Sequence, residues 1–233
     1  MERLVRSKML YGETAVDNLK NKTVAVFGLG GVGCYAVEAL ARSGVGNLVL
    51  IDCDKYSQSN LNRQLYATYD TVGKDKTEVS KERVKQIAND VNVTTYNLFI
   101  DEETITNIDF TKFDYVVDAI DFVKGKLAII KACKNSGVKL ISSMGTGNKT
   151  NPSLFQFDLL ENTKVCPLCK VMRKACKDEG LFGVTVLYSQ EEPKTPLFTI
   201  DGKNTPASNS FVPAIAGLTI AGKIINELIT EQL

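Results

Sequence analysis

Thr23-Val-Ala-Val-Phe27 runs directly into Gly28-Leu-Gly-Gly-Val-Gly33, after which apolar residues recur at helical spacing through Ala36, Val37, Leu40 and Ala41. The short apolar run reads as a buried strand and the later periodicity as a helix over Gly31–Ser43, so the glycines form a strand-to-helix turn. Asn47-Leu-Val-Leu-Ile51 reads as the next strand, which completes a right-handed βαβ unit. Gly28, Gly30 and Gly33 have the Gly-x-Gly-x-x-Gly spacing, with Gly31 beside them. In that setting the turn lets backbone N–H groups approach a phosphate at a helix N-terminus; its plainer role is a tight turn alone. Asp52 ends the second strand 19 residues after Gly33, where an acidic residue is expected to hold a ribose hydroxyl or, more plainly, to cap a loop.

The alternation continues outward. A helix is expected over Lys76–Val91, strands over Val93–Phe99 and Tyr115–Ile120, a helix near Lys124–Asn135 and a strand over Val138–Ser142. This predicts an α/β fold: a Rossmann-like, mostly parallel sheet with helices on both faces. Asp121 then falls just past a strand's C-terminal end, the edge at which open parallel sheets bind ligands. After Gly145 the texture becomes irregular. Loop-like TGNKTNP and EEPKTP alternate with extra strands in SLFQFDL and VTVLY, and a helix over Phe211–Leu228, with Pro213 in its first turn, closes the chain.

The 233 residues carry 28 Lys plus Arg against 27 Asp plus Glu, so no general attraction to nucleic acid or acidic membrane follows from charge. Histidine is absent, which removes the commonest general base and every Ser-His or Cys-His pair. Chemistry falls to carboxylates, Lys, Arg, Cys or a bound cofactor. The charged opening Met1–Lys8 lacks a signal-peptide core, and no apolar run approaches the roughly 18 residues of a membrane span, so a cytoplasmic protein is expected.

A hydride-transfer enzyme is hard to build without histidine or a Tyr-x-x-x-Lys pair. Asn60, Arg63 and Lys76 follow the ribose position instead, and an Arg with a Lys near a phosphate loop suits a triphosphate; singly, each reads as solvated surface. Together Gly28–Gly33, Asp52-Cys-Asp54, Ser59-Asn60-Leu-Asn-Arg63-Gln64, Val72-Gly-Lys-Asp-Lys76 and Asp118-Ala-Ile-Asp121 resemble the adenylation domain of the ThiF, molybdopterin-synthase-activating and ubiquitin-activating adenylyltransferase superfamily. The resemblance implies ATP and Mg²⁺ as cofactors. Gly28, Gly30, Gly31, Gly33, Asp52, Asp54, Asn60 and Gln64 would bind the nucleotide, Arg63 and Lys76 the phosphates. Asp121 would hold Mg²⁺ or orient the reacting phosphoryl group, and Arg6 would reach across a homodimer into the partner's site.

Within that superfamily Arg3–Gly12, Ser142-Ser-Met-Gly-Thr-Gly-Asn148, Cys166-Pro-Leu, Val171-Met-Arg-Lys174 and Phe211–Gly217 are similar to the tRNA threonylcarbamoyladenosine dehydratase family. The resemblance implies one adenylation domain over 1–233, with a nucleotide-binding half (1–145) and a substrate and dimer half (146–233). It implies adenylation of the carboxylate of threonylcarbamoyladenosine beside the tRNA anticodon, then cyclisation with loss of water. A cysteine desulfurase or sulfur acceptor is a further expected partner. Three alternatives stay open: activation of the C-terminal glycine of a ubiquitin-like sulfur carrier, a non-catalytic nucleotide-binding scaffold, and an NAD oxidoreductase.

Cys166-Pro-Leu-Cys169 with Cys176 reads as a partial zinc site, a redox pair, or a catalytic thiol at Cys166; the default is a partly buried loop cysteine. Lys170, Arg173, Lys174 and Lys177 make a local basic cluster, either a solvated helix face or, for a tRNA substrate, a place for phosphate contacts.

Overall fold

The structure is a computed structural model, and it describes residues 3–200 and 205–230. In chain order the elements are α1 (Val5–Tyr11), α2 (Glu13–Asn18), β1 (Thr23–Phe27), α3 (Gly33–Ser43), β2 (Asn47–Asp52), α4 (Lys76–Ile87), β3 (Asn92–Asn97), β4 (Tyr115–Asp118), α5 (Val123–Ser136), β5 (Lys139–Ser143), β6 (Phe155–Leu159), α6 (Pro167–Asp178), β7 (Thr185–Ser189) and α7 (Val212–Thr230). The strands form a single seven-stranded sheet in the order β3-β2-β1-β4-β5-β7-β6. Among the described residues only β6 runs antiparallel, against β7.

Every residue of β1 after Thr23 is buried, because the sheet is covered on both faces. Val24 and Val26 join a cluster with Val37 and Leu40 of α3 and Ile220 and Ile224 of α7. Ala25 and Phe27 point the other way, into a cluster with Val116 and Ile129. Burying one such Val, Ile or Phe contributes about 1.5–3 kcal/mol, so the two apolar layers hold the sheet rigid.

Several boundaries differ from the sequence reading for local reasons. α3 begins at Gly33 rather than Gly31, because Gly30–Val32 make the turn. The strand expected to reach Ile120 stops at Asp118, whose buried carboxylate accepts the Ile120 N–H at 3.3 Å. The helix expected to reach Val91 ends at Ile87, since Ala88 leaves helical geometry at φ −154°. The strands in the irregular half extend the same sheet.

α1, α2 and the full extent of α6 were not anticipated. α6 forms because Pro167 opens it and Cys169, Met172 and Cys176, spaced by three and four, give it one apolar face. α7 corrects a further expectation: by length and composition it is apolar enough to cross a membrane. Here Ala216, Ile220, Ile224 and Leu228 are buried in the core beside α3.

Candidate functional site

β1 lies between β2 and β4, so the connections leaving it diverge and a crevice opens at their C-terminal ends. Phe27 pairs with both Ile51 and Asp118, which brings the loops after all three strands to one edge. Those loops enclose a cleft of about 600 Å³.

Its floor is the glycine turn. Gly28 has φ +88°, and a Cβ there would sit 2.7 Å from the Ala119 carbonyl oxygen; one on Gly33 would sit 1.7 Å from the Gly28 carbonyl oxygen. Only glycine lets the turn fold this tightly under the β4–α5 connection. α3 then starts without a side-chain cap, and although the Cys34 N–H donates to the Gly30 carbonyl at 3.2 Å, the positive end of the helix dipole faces the cleft.

Asp52 sets the wall beside the turn. Its Oδ2 accepts the Leu29 N–H at 2.6 Å and its Oδ1 the Asp54 N–H at 2.8 Å, which fixes the carboxylate at the end of β2. Burial pushes its pKa up, opposed by the nearby Lys76 ammonium. Lys76 opens α4, is 5% exposed, and places Nζ 2.8 Å from Asp54 Oδ2 and 3.8 Å from Asp52 Oδ2. Asn60 Oδ1 accepts the Ser57 N–H at 3.1 Å, which fixes the loop carrying Arg63. Arg63 is half-buried and donates Nη1 to the Ser59 carbonyl at 2.7 Å and to Asn62 Oδ1 at 2.9 Å. The buried Gln64 has an Oε1 without a hydrogen-bond partner among the described residues.

The cleft thus gathers Gly28, Gly30, Gly31, Asp52, Asp54, Asn60, Arg63, Gln64, Lys76 and Asp121 from three connections, those after β1, β2 and β4. Asp121 is exposed at the mouth. Gly33 lies beneath the turn. Arg6 is outside the lining of its own chain's cleft, exposed on α1. Asp52, Cys53 and Asp54 place their ligand atoms within 4.8 Å of one another, a grouping that does not include Asp121.

Two features were not foreseen. Phe99 and Phe122 flank the mouth with ring centroids 5.2 Å apart and line the cleft. Both follow ends of strand-like segments, but only the sheet order brings them together. The second is the buried group of Asp118, Lys126 and Ser142 behind the Asp121 loop, with Ser142 Oγ donating to Asp118 Oδ2 at 2.5 Å.

All six cysteines are free. Cys166 is buried at the N-cap position of α6 rather than partly buried in a loop, and the neighbouring Cys169 thiol, donating to it, draws its pKa down. Cys166, Cys169 and Cys176 do not converge as a three-ligand metal group among the described residues.

An uncapped glycine turn, a fixed carboxylate at the adjoining strand end and an Arg and a Lys around one crevice define a Rossmann-like α/β nucleotide-binding fold. The chain belongs to the ThiF family, whose model matches residues 2–231. It is 37% identical to the tRNA threonylcarbamoyladenosine dehydratase of Bacillus subtilis over 99% of this chain and 96% of that one. The crystal structure of the E. coli tRNA N6-threonylcarbamoyladenosine dehydratase in complex with AMP superposes with TM-score 0.91 at 32% identity, covering 99% of this chain and 95% of that one. The complex of that enzyme with ATP superposes with the same TM-score at 31% identity and the same coverage.

Proposed function

We propose that this chain is an ATP-dependent tRNA threonylcarbamoyladenosine dehydratase and that ATP occupies the cleft described above. The observation that carries this reading is the uncapped α3 N-terminus with Asp52 and Lys76 beside it in one cleft. End-to-end likeness to a dehydratase solved with ATP supports it. Asp52 and Asn60 hold the ribose, with Phe99 and Phe122 as flat apolar walls for a base. The glycine turn takes phosphates on its N–H groups, and the orphaned Gln64 Oε1 receives a ligand donor.

A carboxylate is a poor electrophile. Its oxygen attacks the α-phosphorus, pyrophosphate leaves, and the carboxyl carbon now carries AMP as leaving group. The carbamoyl group of the same nucleoside then attacks that carbon, displacing AMP with the oxygen lost from the carboxylate; the sum is removal of water. Because the second step is intramolecular, it needs orientation more than an enzymic nucleophile. That suits a chain without histidine.

Arg63 and Lys76 bear the developing charge on the transferring phosphoryl group. Lys76 retains donors beyond the one used by Asp54. Mg²⁺, when bound with ATP, neutralises phosphate charge. Asp121 fits it as an exposed hard-oxygen donor outside any ion pair among the described residues, whereas Asp54 is engaged by Lys76. Residues 1–145 form the nucleotide half and 146–233 the substrate and dimer half, with Arg6 reaching a partner copy's cleft. We place the enzyme in the cytoplasm, supported by its six free thiols.

The test is to incubate the protein with ATP, Mg²⁺ and tRNA bearing threonylcarbamoyladenosine, digest the tRNA and weigh the nucleoside. ATP-dependent loss of one water is expected. An unchanged nucleoside would transfer the reading to activation of a carrier protein's C-terminal glycine.

A further inference from the structure

α6 ends at Asp178, and Gly180 just beyond it has a φ of +67° that no other residue type adopts as freely. The chain turns back there: the Leu181 N–H donates to the Cys176 carbonyl at 2.8 Å, which lays Phe182 beside the last turn of the helix. Phe182 is 57% exposed. It shares a pocket of about 380 Å³ with Lys174, Lys177, Arg173 and Leu181. An aromatic ring this open costs solvation, and nothing in the core needs it.

The helix beside it has an unusual charge pattern. Its buried face is Cys169, Met172 and Cys176, and Lys170, Lys174 and Lys177 stand exposed on the other side at i, i+4 and i+7. Like charges at that spacing disfavour a helix unless something else uses them. None of the three makes an ion pair among the described residues, although Asp178 and Glu179 follow directly; Glu179 pairs with Lys131 at 3.0 Å. Arg173 is turned inward and donates to the Thr163 carbonyl at 2.8 Å, so it braces the helix. Glu161, the acid beside the pocket, is occupied by the Gly183 N–H at 2.9 Å.

The stripe also has a fixed relation to the cleft. A Cβ on Gly145 would lie 3.7 Å from Leu168 Cβ and 3.8 Å from Cys166 Sγ, so the start of α6 packs under the loop whose next residue, Thr146, lines the cleft. At about 1.5 Å per residue, Lys170 to Lys177 spans about 10 Å. One nucleic-acid strand carries a phosphate about every 3.4 Å of helix axis, so that length matches about three phosphates.

We propose that the exposed lysine face of α6, with Phe182 at its end, is an RNA-binding surface: Lys170, Lys174 and Lys177 contact consecutive phosphates and Phe182 stacks on an unpaired base. The inference rests on the tRNA reading of the cleft and extends it, since the strand it holds leads from the cleft edge outward. A flat aromatic beside a row of cations is the combination that single-stranded RNA recognises, and stacking needs no particular base.

The experiment compares the full-length protein with K170Q/K174Q/K177Q and with Phe182→Ala. Filter binding of a tRNA bearing threonylcarbamoyladenosine is measured across a salt series, together with KM for that tRNA and for ATP. The triple variant is expected to lower the slope of log K against log salt by about 2 to 3 and to raise KM for tRNA while KM for ATP stays put. Phe182→Ala is expected to weaken tRNA binding about fivefold or more with the salt slope unchanged, and Phe182→Tyr to restore it. Wild-type KM and slope in the triple variant of an active enzyme would overturn the surface and leave the dehydratase reading standing. A wild type that binds tRNA through the stripe yet never dehydrates it would keep the surface and overturn that reading; a wild type that does neither overturns both.

Discussion

Lys126 Nζ stands 2.9 Å from Asp118 Oδ2, and both side chains are fully buried. The same ammonium donates to the Ile120 carbonyl at 3.0 Å and to the Ser143 carbonyl at 2.8 Å. One cation therefore ties the loop carrying Asp121 to the end of β5. Removing one partner strands the other charge in the core, so Lys126→Met should lower unfolding free energy by about 3–5 kcal/mol. Adding Asp118→Asn should return a large part of that loss, because the uncompensated charge is gone. Urea unfolding of both single variants and the double variant measures the coupling, and strict additivity would remove the ion pair from this role.

Gly30 separates folding from ligand binding at the glycine turn. A Cβ there would meet only Gln64 Nε2 at 3.8 Å, an ordinary contact, whereas one at Gly33 would collide with the Gly28 carbonyl oxygen at 1.7 Å. Gly30→Ala is expected to fold with wild-type stability and to bind ATP markedly less well, since its methyl occupies cleft space. Gly33→Ala is expected to lose stability as well. Calorimetric ATP titration paired with thermal unfolding distinguishes them; undiminished ATP affinity in Gly30→Ala would place the phosphates elsewhere.

Arg63 and Lys76 should differ, although both are proposed to serve the phosphates. Loss of one preorganised charge on a reacting phosphoryl group costs about 10²–10³ in rate, so each alanine variant should nearly abolish adenylation. Lys76 is 5% exposed and stands against buried Asp52, whose pKa burial pushes up against the pull of that ammonium, so Lys76→Ala should in addition lose stability as pH rises and Asp52 ionises without its partner. Half-buried Arg63 lacks that second duty. Pyrophosphate release and pH-dependent melting test both statements, and wild-type rates would refute the assignment.

Cys53 offers a chemical readout of occupancy. It is the exposed one of six free thiols and lies in the cleft between Asp52 and Asp54. Burial of its sulfur, followed by the Asp54 and Asp52 charges, pushes its pKa up, so iodoacetamide should modify it faster as pH is raised toward and above the ordinary thiol range. Saturating ATP should slow that modification several-fold. Labelling indifferent to ATP would mean that the nucleotide does not cover the loop after β2.

The half of the molecule built on β1 and β2 was legible because a buried parallel strand, a glycine turn and a terminal acid leave their marks within a short span of chain. Cleft residues such as Asn60, Arg63 and Lys76 were legible through their order along the chain, which no composition argument would have supplied. What escaped depends on distance in sequence. Phe99 and Phe122 meet only because β3 and β4 flank β2 and β1, and Lys126 looks like any helical lysine until β5 closes over it. α6 was obscured differently: its cysteines suggest metal or redox chemistry, yet Cys169 and Cys176 serve as the apolar residues that bury the helix.

Arg6 tests the assembly. It is exposed on α1, a helix with no buried residue, beside Met9 at 83% and Leu10 at 73% exposure. If Arg6 acts on ATP as proposed, its place outside its own chain's cleft, on an uncovered apolar helix, requires that it enter a second copy's cleft. Arg6→Ala and Asp121→Ala should each be inactive alone. Mixed in equal amounts and allowed to exchange, half of the dimers pair one of each, and in those the cleft with its own Asp121 receives the partner's intact Arg6. One site in two then works, so about a quarter of wild-type activity should return. If Arg6 served its own chain's cleft, no mixture would recover activity, because every cleft would lack one of the two residues.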